Sequence, residues 1–240
     1  MSELVRLNKY LSSIGVCSRR AADAAIEANR VTVNGQIATM GLKVDGTEEI
    51  IIDGKKIDKT KDDFVLIAFN KPKGVVCTAA KNDKNNIVDY IDYPCRIYPV
   101  GRLDKDSHGL ILLTNEGDLV NKIMRASNYH EKEYIVKVNK EITSDFIKKM
   151  SEGVYLEELD TVTRKCQVKK LKKDVFSIIL TQGLNRQIRR MCSALDYTVF
   201  DLKRIRIMNI NIEGIKEGTY RDVSSKELDV LKKMIEGSKN

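Results

Sequence analysis

A chain of 240 residues is long for one small domain and short for three, so two unequal domains are expected. Its hydrophobic content of 42% gives no sign of long disorder, and 42 Lys and Arg against 34 Asp and Glu leave a net charge of +8, an excess that suits a polyanionic partner but also fits a plain solvated surface. Five scattered cysteines (Cys17, Cys77, Cys95, Cys166 and Cys192) form no C-x-x-C, the N-terminus lacks a basic stretch followed by an apolar run, and no segment reaches the roughly 18 apolar residues of a membrane span. A disulfide framework, a zinc site and a membrane protein are thereby disfavoured, and a cytoplasmic location is expected.

Leu7, Tyr10, Leu11 and Ile14 recur at the spacing of one helix face, and Gly15 follows where a helix would stop, so residues 5–14 are expected to form a short amphipathic helix. Ser18 offers the N-cap of a second helix reaching about Asn29, with Ala22, Ala25 and Ile26 as its apolar side. Asn34-Gly35 and Asp53-Gly54 then sit between β-branched residues and predict two tight hairpins. Arg19 and Arg20 occupy the first turn of the second helix, where the macrodipole disfavours cations, so helix stability does not explain them. With Arg6, Lys9 and Arg30 they could form a basic face for phosphates, or an incidental solvated one. The run Arg6-Leu7-Asn8-Lys9-Tyr10-Leu11, through Ser18-Arg19-Arg20-Ala21-Ala22, to Val31-Thr32-Val33-Asn34-Gly35 resembles the S4 RNA-binding domain over residues 3–60. Asn8 stands where many S4 domains carry an acid, which implies that a local charge pairing is missing.

Residues 58–63 are all polar and read as a connector, giving expected domains of 1–60 and 61–240. Beyond it, residues 64–69, 75–78, 109–113, 134–138, 162–168, 175–180 and 205–212 are strand-like. Residues 117–125, 143–150, 185–195 and 224–236 are helix-like. Strands mixed irregularly with helices predict an α+β domain with a largely antiparallel sheet.

Three places could carry chemistry. Asp104 lies in Gly101-Arg102-Leu103-Asp104-Lys105-Asp106-Ser107-His108-Gly109, a charged loop between glycines that leads into an apolar strand; Asp104 and Asp106 could equally be turn residues. In Asn185-Arg186-Gln187-Ile188-Arg189-Arg190-Met191-Cys192, Asn185 is the expected helix cap and Ile188, Met191, Cys192 and Leu195 the buried stripe. Arg186 and Arg190 then point outward, to solvent or phosphates, and Arg189 borders the core and needs an anion. Tyr134 opens a strand in Lys132-Glu133-Tyr134, where a lone tyrosine is ordinarily packing.

Together with Asn70-Lys71-Pro72-Lys73-Gly74, these motifs resemble the pseudouridine synthase family, in the branch that carries an S4 domain, from about Phe64 to Lys233. The wording around His130-Glu131-Lys132-Glu133-Tyr134 and Arg206-Ile207-Met208-Asn209 is most similar to the ribosomal large subunit synthases of F type. Ser107 departs from the threonine common in this branch, and His108 occupies a variable position. The resemblance implies an enzyme that detaches uracil from C1′ of the ribose, turns it and rejoins it through C5. It implies Asp104 as the catalytic carboxylate, Arg189 as its counter-ion, and Tyr134 against the flipped base. It further implies substrate contacts from Arg102, Arg186, Arg190, Lys71 and Lys73, and backbone contacts from Arg6, Lys9, Arg19 and Arg20. No cofactor or metal is implied, because nothing is added or removed. The partner is structured RNA, ribosomal first and transfer RNA second, and with no self-association signal a monomer is expected. Two other functions remain open: a non-catalytic RNA-binding or ribosome-assembly factor, and an N-glycosidase in which water captures the sugar.

Overall fold

A computed structural model describes residues 4–58, 63–78 and 83–239. They fall into two compact units, one of residues 1–64 with Pro94–Arg96, the other of residues 65–93 and 97–240. Four residues of the expected connector, 59–62, lie outside the described ranges.

In the first unit β1 (Val5–Arg6) leads into α1 (Leu7–Ser13) and α2 (Arg19–Glu27). The expected helix begins two residues late because Val5 and Arg6 pair with Val44 and Lys43. Ser18 caps α2, its hydroxyl accepting from the Ala21 amide at 3.1 Å. The strands β2 (Val31–Val33), β3 (Gln36–Ile37), β4 (Lys43–Val44), β5 (Ile50–Ile52) and β6 (Lys55–Lys56) follow, and the four-stranded sheet runs β3-β2-β5-β6. Asn34 and Gly35, and likewise Asp53 and Gly54, all have positive φ, the backbone that a two-residue type I′ turn demands. Leu7, Leu11, Ala22, Ile26, Val31 and Ile50 close the core. The pairing thought absent at Asn8 is replaced by a neutral donor: its amide bonds the Asp23 carboxylate at 2.8 Å.

The second unit is built on one sheet. Its elements are β7 (Leu66–Lys71), α3 (Ile87–Ile91), β8 (Tyr98–Val100), β9 (His108–Thr114), α4 (Gly117–Met124), β10 (Lys132–Val138), α5 (Ser144–Glu152), β11 (Tyr155–Leu156), β12 (Thr161–Val162), β13 (Gln167–Lys172), β14 (Val175–Leu180), α6 (Gln187–Ser193), β15 (Val199–Ile207), β16 (Ile210–Asn211), β17 (Tyr220–Asp222) and α7 (Ser225–Met234). The strand order is β13-β14-β10-β15-β9-β7-β17, with β8 added to β9 and β16 to β15. Pairing is antiparallel except at the centre, where β15 meets β9 in parallel through Lys203 with His108 and Arg204 with Gly109. The sheet is therefore two antiparallel halves joined at a short parallel seam. Each half has its own apolar core: Val136, Phe146, Phe176, Ile178 and Met191 on one side, Leu66, Leu110, Leu112, Ile123 and Leu231 on the other.

Several expected strands are altered. The stretch 162–168 is broken at Thr163, whose hydroxyl turns back to accept from the Val154 amide, so β12 pairs with β11 and β13 starts afresh at Gln167. The stretch 205–212 is folded over at Met208, which has a φ of 52°, into the β15–β16 hairpin. Of 75–78 only the bridge of Val76 to Asn86 remains. Among the described residues of this unit four strands and helices lie outside every expected stretch: α3, β8, β11 and β17.

Gly109 sets the closeness of the seam. Its φ is 101°, and a Cβ there would lie 2.3 Å from the Arg204 carbonyl oxygen and 2.8 Å from its nitrogen. Gly109→Ala should therefore destabilise the protein by about 3 kcal/mol or more, through strain that backbone on both strands must absorb. Urea unfolding measures this; a loss below about 1 kcal/mol would show that the strands part easily.

Candidate active site

The loop entering β9 is held from both ends. The Leu103 amide donates to the Cys77 sulfur at 3.3 Å, the Gly74 amide to the Lys105 carbonyl at 2.8 Å, and the Ser107 amide closes a turn onto the Asp104 carbonyl at 3.1 Å. These bonds fix the backbone on each side of Asp104 and leave its side chain partly exposed, at 32%. It opens into a cleft of about 540 Å³ whose wall also includes Arg102, Tyr134 and Arg186. Arg102 is exposed and Tyr134 half-buried, and with buried Arg204 the cleft brings one aromatic ring and three guanidinium groups around the carboxylate.

The arginine nearest Asp104 is not the expected one. Arg186 Nη1 lies 3.6 Å from Asp104 Oδ2, and its two Nη atoms each meet an oxygen of Asp106 at 3.3 Å. Arg189 Nη2 instead lies 3.2 Å from Asp106 and donates to the Asp106 carbonyl and the Ser107 hydroxyl, while its Nη1 donates to the Val199 carbonyl. The start of α6 explains the exchange. Asn185 does not cap the helix; Arg186 occupies the cap position with a φ of 49°, a left-handed backbone unusual for arginine, which places its side chain over the loop. Arg189, one turn later and only 15% exposed, reaches the loop's next residues. Asp106 is thus no idle turn residue: it is clamped between two guanidinium groups. Partial burial raises its carboxyl, but the Arg186 hydrogen bond and the Arg189 and Arg186 charges outweigh this and hold it below the ordinary carboxylate range.

Other expected RNA contacts are spent within the protein. Lys71 is fully buried and donates to the Pro72 and Val75 carbonyls at 2.9 and 2.8 Å, which brackets the 71–75 turn rather than reaching a phosphate. Burial holds its ammonium below the usual lysine value. Arg190 donates twice to Asn185, at 3.0 and 3.1 Å, and pairs with Glu158. Lys73 is half-exposed and pairs with Asp201, which also meets His108 Nε2 at 3.0 Å. In the first unit Arg30 is committed to Asp53, whereas Arg6, Arg19 and Arg20 are exposed and Lys9 is half-buried. The two buried cations of the cleft were not singled out from the sequence: Lys132, visible only as part of a motif, and Arg204, whose burial nothing short of the strand pairing reveals. Among the described residues no three His, Cys, Asp or Glu side chains are grouped to hold a metal ion, and no helix is long and apolar enough to cross a membrane.

Residues 65–194 match the RNA pseudouridylate synthase family, and residues 5–51 match the S4 domain. The chain is 53% identical over 97% of its length to the dual-specificity RNA pseudouridine synthase RluF of Salmonella typhi, covering 80% of that protein. It is 35% identical to the ribosomal large subunit pseudouridine synthase B of Bacillus subtilis (strain 168), with 98% of each chain covered. A solved pseudouridylate synthase superposes with a TM-score of 0.70 at 28% identity, covering 95% of this chain and 99% of that one.

The clamp on Asp106 makes a pH prediction. A depressed carboxyl contributes stability that is fully present above its unfolded-state value and is lost as pH falls through its folded-state value. The unfolding free energies of wild type and Asp106→Asn should therefore differ near pH 7 and converge as the pH is lowered through and below the ordinary carboxylate range. A difference that is flat across this range would show that the two arginines do not hold the ionised form.

Proposed function

Because the chain belongs to the RNA pseudouridylate synthase family and is an RNA pseudouridine synthase, we propose that it isomerises a uridine of structured large-subunit ribosomal RNA, with Asp104 as the catalytic group. The observation that carries this reading is the single cleft in which the Asp104 carboxylate stands beside Arg186, Tyr134 and Arg102. Transfer RNA is the second candidate substrate.

Breaking the bond from C1′ to N1 builds positive character on the ribose. A carboxylate at that point stabilises it, attacks C1′ or takes a proton from C2′. Asp104 serves each of these roles only from a fixed position, and the backbone bonds at Leu103, Lys105 and Ser107 supply that. Arg186 balances the carboxylate, and through Asp106 the pair of arginines keeps the loop in register with α6. The target nucleotide must leave its stack, at a cost of a few kcal/mol. The Tyr134 ring replaces part of the lost stacking, and exposed Arg102 at the rim holds the vacated helix open. The S4 domain supplies backbone contacts through Arg6, Lys9, Arg19 and Arg20.

Wild type should release tritium from 5-tritiated uridine in ribosomal RNA, and Asp104→Asn should abolish release while RNA affinity stays within about twofold. Equal rates in the two proteins would remove Asp104 from the chemistry. The double variant Arg6→Ala/Arg20→Ala should reduce the slope of log K against log salt by about 1 to 2. An unchanged slope would mean that these arginines do not meet phosphates.

A further inference from the structure

Asp104 answers the positive charge that develops on the sugar, and no group so far answers the negative charge on the base. Heterolysis of the bond from C1′ to N1 leaves the electron pair on uracil, as an anion spread over N1, O2 and O4. Later C5 forms the new bond to C1′ and gives up its proton, and N1 takes a proton. Between those steps the base needs a cation within reach. The arginines around Asp104 and Asp106 are committed to those carboxylates.

Among the described residues, the cleft wall holds two buried cations that no carboxylate claims. Lys132 and Tyr134, two apart on β10, project to the same side of the sheet, and Arg204 on β15 is the cross-strand partner of Tyr134. Lys132, Tyr134 and Arg204 all line the cleft. Lys132 is 3% exposed and Arg204 1%. Among the described residues neither forms an ion pair. The Lys132 ammonium donates to the His130 carbonyl at 3.0 Å, and Arg204 Nε donates to the Leu110 carbonyl at 2.7 Å. Arg204 Nη2 is buried with no hydrogen-bond partner. Two buried cations side by side, one with an unsatisfied donor, are costly for the fold, and such costs concentrate where a charge is to be met.

Resting on the function proposed above, we propose that the Lys132 ammonium, backed by the Arg204 guanidinium, is the seat for the anionic uracil and contacts one of its carbonyl oxygens in the cleft. Tyr134 on the same strand face stacks on the base, so ring and cation take the same nucleotide from adjoining positions. Burial, and then the charge of Arg204, bring the Lys132 ammonium down to about 8, so it still carries its proton at neutral pH and parts with its hydration easily.

The test compares wild type, Lys132→Met and Lys132→Arg on ribosomal RNA. Lys132→Met should lower kcat about 100-fold with KM within about twofold, and should unfold at the same temperature or higher, because an unpaired buried charge has been removed. Lys132→Arg should recover much of the loss. The decisive arm replaces the target uridine with 5-fluorouridine, whose base departs as a weaker base and needs the cation less. Fluorine at C5 leaves no proton to give up, so the reaction of that nucleotide is read as loss of 5-fluorouridine after digestion and chromatography, and this loss should show a smaller gap between wild type and each variant than uridine does. A Lys132→Met enzyme with wild-type kcat, or an equal gap on both nucleotides, overturns the seat. Tritium release by wild type reports on the underlying activity by itself, so the two ideas fail separately.

Discussion

At the centre of the catalytic unit two strands run side by side in the same direction for only two residue pairs, and they come so close at Gly109 and Arg204 that no side chain fits between them. The seam is backed by the second core, where Ile207 and Ile210 of β15 and β16 pack with Leu110 and Leu112 of β9, so backbone pairing and apolar contact together fix one half of the sheet relative to the other. The loop bearing Asp104 runs directly into the seam from β9, and Arg204 and Tyr134 face the cleft from the opposite half. A site assembled across such a junction draws its precision from backbone packing rather than from loop chemistry.

Local signals were the legible part. The turns at Asn34-Gly35 and Asp53-Gly54 need φ above zero at both positions, and few other dipeptides accept this, so two residues sufficed to foresee each hairpin. Ser18 as a cap, and the stripe Ile188, Met191 and Cys192, were legible for the same reason: their causes lie within one or two helical turns. The Asp104 loop could be identified as a motif through its resemblance, whereas its glycines and charges by themselves fitted a turn equally well; in the fold Asp104 lines the cleft.

What was misjudged depended on distance in the chain or on the backbone of a single residue. The phase of α6 was as expected, but Arg186 rather than Asn185 stands at its cap, and the left-handed backbone there is not visible in the residue type. Lys71 was expected at the RNA through the resemblance alone; only the fold shows its ammonium held by two carbonyls of its own turn. Thr163 breaks a strand that its neighbours favour, because a hydroxyl nine residues from Val154 satisfies that amide. Arg204 is the extreme case, since its environment comes from β9 and β10, far away in sequence.

The outermost strand of the larger sheet, β13, presents one ladder of unpaired backbone groups to solvent, the kind of rim on which a second polypeptide could add a strand. Lys169, Lys170 and Lys172 stand along it, with Lys173 immediately after. Bringing two such rims together would oppose like charges at every other position, so the positive charge that suits this protein to nucleic acid also guards its sheet against aggregation.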